Sequence, residues 1–367
     1  MRNVKLSYIA KINSLSLSQK DTISNVKYLD TSNLTSNTIE NFQYFKMFDD
    51  KLPSRAKRKV KQNTILYSTV RPNQKHFGIL KNLDFSSILV STGFCTIDVD
   101  EDIADPDFIY YYITQDFMTK KMQSLAEQST TSYPSITPND VKNIEINLPN
   151  IEVQRKIGKF LSDIEWKIKT NSKINDNLAN MAQDIYMHWF FKKSPNGKLK
   201  DILLEAAKSN VQVGDAKNCI GQYPFFTSGA SILTWNKYFV NGRYCFLNTG
   251  GNADVKFYVG KSSYSTDTWC IYTKNDMNDY LYLLLLTIKE ELNKKYFQGT
   301  GLKHLQKYLL INKDIYIPTE SELFNFNNIV KPIFDNISSN KRETEKLATL
   351  RDYLLPFLLN GQVTIED

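Results

Sequence analysis

The chain's 367 residues, at roughly 100–200 per domain, provide for two or three folded bodies, each able to bury a core. With 41% hydrophobic and 23% charged residues, 11 Pro and 14 Gly, the composition excludes collagen-like and disordered chains. The net charge of +7, from 46 Lys and Arg against 39 Asp and Glu, allows an anionic partner without requiring one.

In chain order, Val4-Lys5-Leu6 opens the first body. A basic cluster (Lys51, Arg55, Lys57, Arg58, Lys59, Lys61) precedes a β-rich run at 65–70, whose polar end continues as Arg71-Pro72-Asn73-Gln74-Lys75. A second β run is expected at 88–99, then a helix at 107–126, a small polar loop at 128–133 and a strand at 144–148 closed by Pro149. Asn150 can cap a long helix that follows. Lys193-Ser194-Pro195-Asn196-Gly197 punctuates the chain, and the order then recurs. Gly197-Lys198-Leu199 is followed by strands at 244–248 and 266–273, a helix at 278–297, a loop at 298–303 and a strand at 315–317 before Pro318. Thr319 and Glu322 then form a capping box on a second long helix. Cys95 and Cys270 both follow an aromatic residue in these β runs, which suggests equivalent core positions.

The two long helices are copies. Residues 148–189 align with 317–358 without a gap at an offset of 169, pairing Pro149 with Pro318, Ile164 with Ile333, Ile168 with Ile337, Asn171 with Asn340 and Leu178 with Leu347. Spacings of four and three give a seam of Ile157, Leu161, Ile164, Ile168, Asn171, Asn175, Leu178, Ala182, Ile185 and Trp189. The second copy gives Phe326, Val330, Ile333, Ile337, Asn340, Thr344, Leu347, Arg351, Leu354 and Leu358, with Arg351 the poor fit. About forty residues at 1.5 Å each make a rod of roughly 60 Å, and antiparallel pairing is the simplest way to cover both seams. Such a pair brings Asn171 close to Asn340, where a polar contact fixes register; the bland alternative points both to solvent. The expected fold is α+β: two globular α/β bodies (1–149 and 194–318) alternate with two long helices (150–193 and 319–367, the latter with a C-terminal tail). The helices pair as an antiparallel coiled coil in a pseudo-twofold internal repeat.

Signs of catalysis are thin. The sequence has no P-loop, H-E-x-x-H, G-x-S-x-G or helix-opening G-x-G-x-x-G. His76, His188 and His304 are isolated, and Cys95, Cys219, Cys245 and Cys270 form no C-x-x-C pair, which suits a reducing compartment. Asp107 with Glu165-Trp166-Lys167 is a crude echo of a nuclease carboxylate–lysine pattern. No run reaches the ~20 apolar residues of a membrane span, and the N-terminus lacks the apolar core of a secretory signal, so a cytoplasmic location is expected. Basic and amide side chains fare better: cations neutralise phosphate, while Arg, Asn and Gln offer paired donors to guanine and adenine edges. A solvated basic face and ordinary turns are the competing explanations.

The Tyr67 to Pro72 run, Ser91-Thr92-Gly93-Phe94, the Tyr223 to Gly229 run and the Leu148-Pro149 and Ile317-Pro318 steps into duplicated helices together resemble the specificity (S) subunit of Type I restriction-modification systems over essentially the whole chain. The resemblance implies two target recognition domains that each read half of a split double-stranded DNA site, with the helices setting the gap between halves. It also implies two modification (adenine methyltransferase) subunits and restriction/translocase subunits as partners. S-adenosylmethionine, ATP and Mg are then expected on those partners, with no cofactor, metal or catalytic residue on this chain. Candidate DNA contacts are Lys57, Arg58, Lys59, Arg71, Asn73, Lys75, Thr130, Thr131 and Ser132 in the first body. In the second they are Thr227, Ser228, Asn248, Thr249, Asn252, Lys256, Thr300 and Lys303. Helix pairing and partner docking fall to Ile157, Leu161, Ile164, Ile168, Asn171, Leu178, Ile185, Ile333, Ile337, Asn340, Leu347 and Leu354. A self-sufficient nuclease or methyltransferase, and a coiled-coil scaffold that binds no DNA, are the alternatives.

Overall fold

The computed structural model describes residues 2–21, 23–47, 49–128 and 133–365. The chain forms two compact units, one of residues up to Lys167 together with those from Leu347 on, the other of Ile168–Lys346. The units therefore cut across the element boundaries, and each takes a part of both long helices.

In the first unit, Arg2–Lys5 pairs antiparallel with Glu145–Leu148, the strand that runs into Pro149. The Leu6 N–H extends the clasp to the Ile144 carbonyl at 2.8 Å. Between them lie two four-stranded sheets. One has the order Gln43–Lys46, Asn25–Leu29, Ile88–Ser91, Ala56–Lys59; the other has Ala10–Ile12, Phe94–Val99, Ile65–Ser68, Phe77–Ile79. Strand alternation sends Ile65, Tyr67, Cys95 and Ile97 to one core and Leu66 and Phe94 to another. The first core is covered by the helices Pro106–Ile113 and Asp116–Glu127, and by Ile157, Leu161, Leu358 and Leu359 of the long helices.

Two expectations need correction here. The β run at 88–99 is two strands in different sheets, separated at Thr92-Gly93. A Cβ on Gly93 would come within 2.9 Å of the Thr31 side chain, so any larger residue there would require Thr31 to shift. The helix at 107–126 is also two helices. The Thr114 hydroxyl donates to the Tyr110 carbonyl at 2.7 Å, and Gln115 is extended, which ends the first.

The second unit repeats the clasp: Gly197–Lys198 pairs with Asp314–Ile315, and the Leu199 N–H donates to the Lys313 carbonyl at 3.0 Å. Six further strands form one sheet in the order Leu203–Glu205, Thr268–Thr273, Val240–Asn248, Val255–Tyr264, Tyr223–Phe226, Ile232–Trp235. The helix expected at 278–297 stops at Thr287; a short turn and a wide π turn at Leu292–Tyr296 follow. Cys95 and Cys270 are both buried but not equivalent. The ladder pairs Cys95 with Tyr67, whereas Trp269 holds the corresponding place opposite Leu247. Cys270 lies one residue on, and so on the opposite face of its sheet.

The long helices are Ile151–Phe190 and Glu320–Leu359. The Asn150 side chain accepts from the Val153 N–H at 2.9 Å. Glu322 accepts from the Thr319 N–H at 2.9 Å while Thr319 accepts in return, the reciprocal box that satisfies first-turn donors. In the first unit Ile157, Leu161 and Leu358 are buried together, with Leu354 against them. In the second, Asn171 meets Glu343 and Thr344, Asn175 meets Asn340, and Trp189 meets Phe326, so numbers rise on one helix as they fall on the other. The pairing is antiparallel. Asn171 does not meet Asn340, because this register places them a turn apart: Asn171 donates to Glu343 Oε2 at 2.8 Å, and Asn340 donates to Asn175 Oδ1 at 3.0 Å. Ile164, Ile333 and Ile337 are buried, whereas Ile168, Leu178, Ile185 and Leu347 are half-buried. Tyr186 and Phe190 are more deeply buried than Ile185 because the helix also packs on the globular body, through Tyr280 and Tyr316. That widens the apolar stripe beyond a coiled-coil seam.

Candidate nucleic-acid interface

The turn after strand Ile65–Ser68 carries the first group of candidate residues. Thr69 donates twice to one oxygen, with its N–H and its hydroxyl each 2.9 Å from the Gly93 carbonyl. The Thr69 carbonyl accepts from the Ile136 N–H at 2.9 Å, Val70 bridges Ser135, and the Arg71 N–H donates to the Pro134 carbonyl at 2.9 Å. These main-chain bonds fasten the segment at 133–136 beside the turn. Thr130, Thr131 and Ser132, just before it, lie outside the described residues.

The turn after strand Val240–Asn248 is built from the same bonds. The Thr249 N–H and hydroxyl lie 3.1 and 3.0 Å from the Asp267 carbonyl. The Thr249 carbonyl accepts from the Leu305 N–H, Gly250 bridges His304, and the Gly251 N–H donates to the Lys303 carbonyl, both hydrogen bonds at 2.9 Å. Thr69 thus corresponds to Thr249, Val70 to Gly250, Arg71 to Gly251 and Pro134 to Lys303. The two bodies differ in sheet arrangement yet share this fastening.

The side chains on these frames divide into those turned to the protein and those left outside. In the first unit Arg71 is exposed, with its guanidinium 4.8 Å from the Tyr133 ring centre. Asn73 is exposed and its N–H donates to Gln123 Oε1. Lys75 pairs with Asp116 at 2.7 Å. The basic strand Ala56–Lys59 alternates as strands do: Lys57 is exposed, while Arg58 is half-buried with its Nε lacking a hydrogen-bond partner. Burial holds the Arg58 guanidinium below its usual range. Lys59 pairs with Asp21 at 2.5 Å, and that contact lowers the carboxyl's pKa. What adjoins the turn is the start of this strand, since the exposed Arg55 accepts the Thr92 N–H on its carbonyl at 2.9 Å. Arg55 was visible in the basic cluster, but nothing in the spacing ranks it above its neighbours.

In the second unit three candidates hold the loops together. Asn248 is buried; its amide donates to the Gly250 and Asn252 carbonyls at 2.7 and 2.6 Å and its Oδ1 accepts from the Asp254 N–H at 2.7 Å. Buried Thr227 donates to the Ser231 carbonyl at 2.7 Å. Lys256 ties the same turn, donating to the Thr227 and Gly229 carbonyls and pairing with Asp254. Ser228 and Lys303 are half-buried, and Asn252 and Thr300 are exposed at the loop surfaces.

The carboxylate–lysine echo has a structural explanation. Asp107 pairs with Lys81 at 2.6 Å, and Glu165 accepts from the Tyr111 hydroxyl and the Asn37 amide at 2.8 Å each, pinning the long helix to the first body. Burial raises the Asp107 pKa even beside Lys81. Among the described residues no cluster of three His, Cys, Asp or Glu side chains is arranged to hold a metal ion, and no helix is long and apolar enough to cross a membrane.

The sequence profile of the family described as the Type I restriction modification DNA specificity domain matches residues 3–180 and again 193–349. The chain is 23% identical to the Type I restriction enzyme HindI specificity subunit of Haemophilus influenzae, over 92% of this chain and 94% of that protein. It is 21% identical to the MjaIX specificity subunit of Methanocaldococcus jannaschii, over 76% and 74%. In fold it is similar to the Type I restriction-modification S subunit from M. genitalium, with a TM-score of 0.65 at 14% identity, covering 97% of this chain and 95% of that one.

Proposed function

Because the chain belongs to the Type I restriction-modification DNA specificity family, and is a non-catalytic specificity subunit, we propose that each unit reads one half of a split double-stranded DNA site. The observation that carries this reading is the duplicated fastening at Thr69 and Thr249, which presents a different set of side chains on the same backbone frame in each unit. Two unlike readers predict an asymmetric site, and the long helices set the number of unread base pairs between its halves. Modification subunits dock on this chain and bring S-adenosylmethionine, and restriction subunits bring ATP and Mg. Exposed apolar side chains on the long helices support docking there: Trp166 and Tyr353 in the first unit, Ile174, Met181 and Phe324 in the second.

The test is to co-express the chain with candidate modification subunits and map adenine methylation across a random DNA library. A motif of two short halves with a fixed unread gap is the expected result. A continuous motif, or methylation by this chain alone, would replace the reading with that of an enzyme. Binding that ignores DNA sequence would favour a scaffold.

A further inference from the structure

The two fastened turns differ at one informative position. Gly251 has φ +85°, and its counterpart Arg71 has φ +48°, so both lie in the left-handed region. Glycine adopts that region freely, whereas an L side chain there crowds its own backbone. The second unit shows that glycine satisfies the turn, yet the first holds an arginine in it. Lys75, at φ +55°, and several Asn, Ser and Asp residues share this conformation, so what singles out Arg71 is the contrast with the glycine at its counterpart, which directs the question to its side chain.

That side chain is also pre-positioned. Its guanidinium lies over the ring of Tyr133, itself 57% exposed, and among the described residues no carboxylate pairs with it. A cation held over an aromatic face loses less freedom on binding, and a guanidinium keeps its N–H donors in the plane of its fork. Two parallel donors match the O6 and N7 acceptors that guanine shows in the major groove; an ammonium group can reach the same pair, but as a flexible point charge without the planar fork. Building on the reading of this chain as a DNA-specificity subunit, we propose that Arg71, perched on Tyr133, reads a guanine in the half-site of the first unit. Gly251 leaves the other half-site without an arginine reader at the equivalent point.

The experiment compares the parent chain, Arg71→Gly and Arg71→Lys, each assembled with the modification subunits, by methylation mapping on a random library alongside thermal melting. Arg71→Gly is expected to melt at or above the parent temperature, because it relieves the backbone. It should also lose preference for guanine at one position by roughly ten- to hundredfold, the range for one paired contact to a base, with the other positions unchanged. Arg71→Lys should keep the salt dependence of binding and a guanine preference intermediate between those of the parent and Arg71→Gly. An unchanged motif overturns the proposal, as does a uniform weakening across sequences, which identifies a phosphate contact. A lower melting temperature in Arg71→Gly with loss of the whole half-site would make Arg71 a structural residue. A parent complex that yields a motif lacking guanine in both halves refutes Arg71 as a guanine reader alone, whereas a parent that yields no motif refutes the DNA-specificity reading on which it rests.

Discussion

Asn248 shows how a residue typical of a ligand loop can belong to the protein instead. Its amide closes three hydrogen bonds within residues 248–254, and its side chain is buried. Asn248→Ala leaves two carbonyls and the Asp254 N–H without that partner, an expected loss of about 1–3 kcal/mol. Chemical denaturation would measure it, and DNA selectivity should fall in the half-site of the second unit alone. The sequence marked Asn248, Thr249 and Asn252 alike, because turn-forming and base-reading residues are the same polar types. Only the direction of each side chain separates them. The left-handed backbone at Arg71 was similarly illegible, since sequence flags that conformation through glycine and here the glycine stands only in the other copy.

Elements were more legible where a long period repeats. The gapless offset and the 3.5-residue spacing announced both long helices and their antiparallel pairing, whereas the break at Thr114 arises from a side-chain hydrogen bond to the backbone that hydrophobic pattern does not encode, and the end at Thr287 falls within an apolar run that continues past it. The helix Asn278–Thr287 is locked to the second long helix through Arg243, which donates to Asp279 at 3.0 Å, Asp335 at 2.8 Å and the Lys331 carbonyl at 2.9 Å. Asp279 is wholly buried, and burial pushes its pKa from 3.8 up to about 6 against the pull of Arg243 and Lys331, with Asp335 and Asp276 raising it further. A raised carboxyl pKa means that the folded state binds the proton more tightly than the unfolded one. The resulting stabilisation is complete below about pH 4 and is lost as pH rises through about 6. Asp279→Asn, which cannot ionise, should therefore gain stability relative to the parent between pH 4 and 7. Urea melts at both ends of that range check the sign; a relative loss would mean that the Arg243 pairing outweighs burial.

At the scale of the whole molecule, segmenting the chain by sequence order left no way to see that the first unit is completed by residues from Leu347 on. Leu358 and Leu359, near the C-terminal end, are buried with Ile157 and Leu161 from the middle of the chain. Leu359→Ala is expected to destabilise by about 2–5 kcal/mol. Hydrogen exchange should place the weakening at strand Ile65–Ser68 and spare strand Val240–Asn248; equal loosening of both would show that the units unfold as one. Both turns that carry candidate readers are fastened mainly through peptide N–H and C=O groups, which nearly every amino acid supplies. A mutation at their tips changes what the surface offers to a base while leaving most of the fastening bonds in place. Lineages of such proteins can thus drift to new addresses one codon at a time, each intermediate still folded and still exposed to selection.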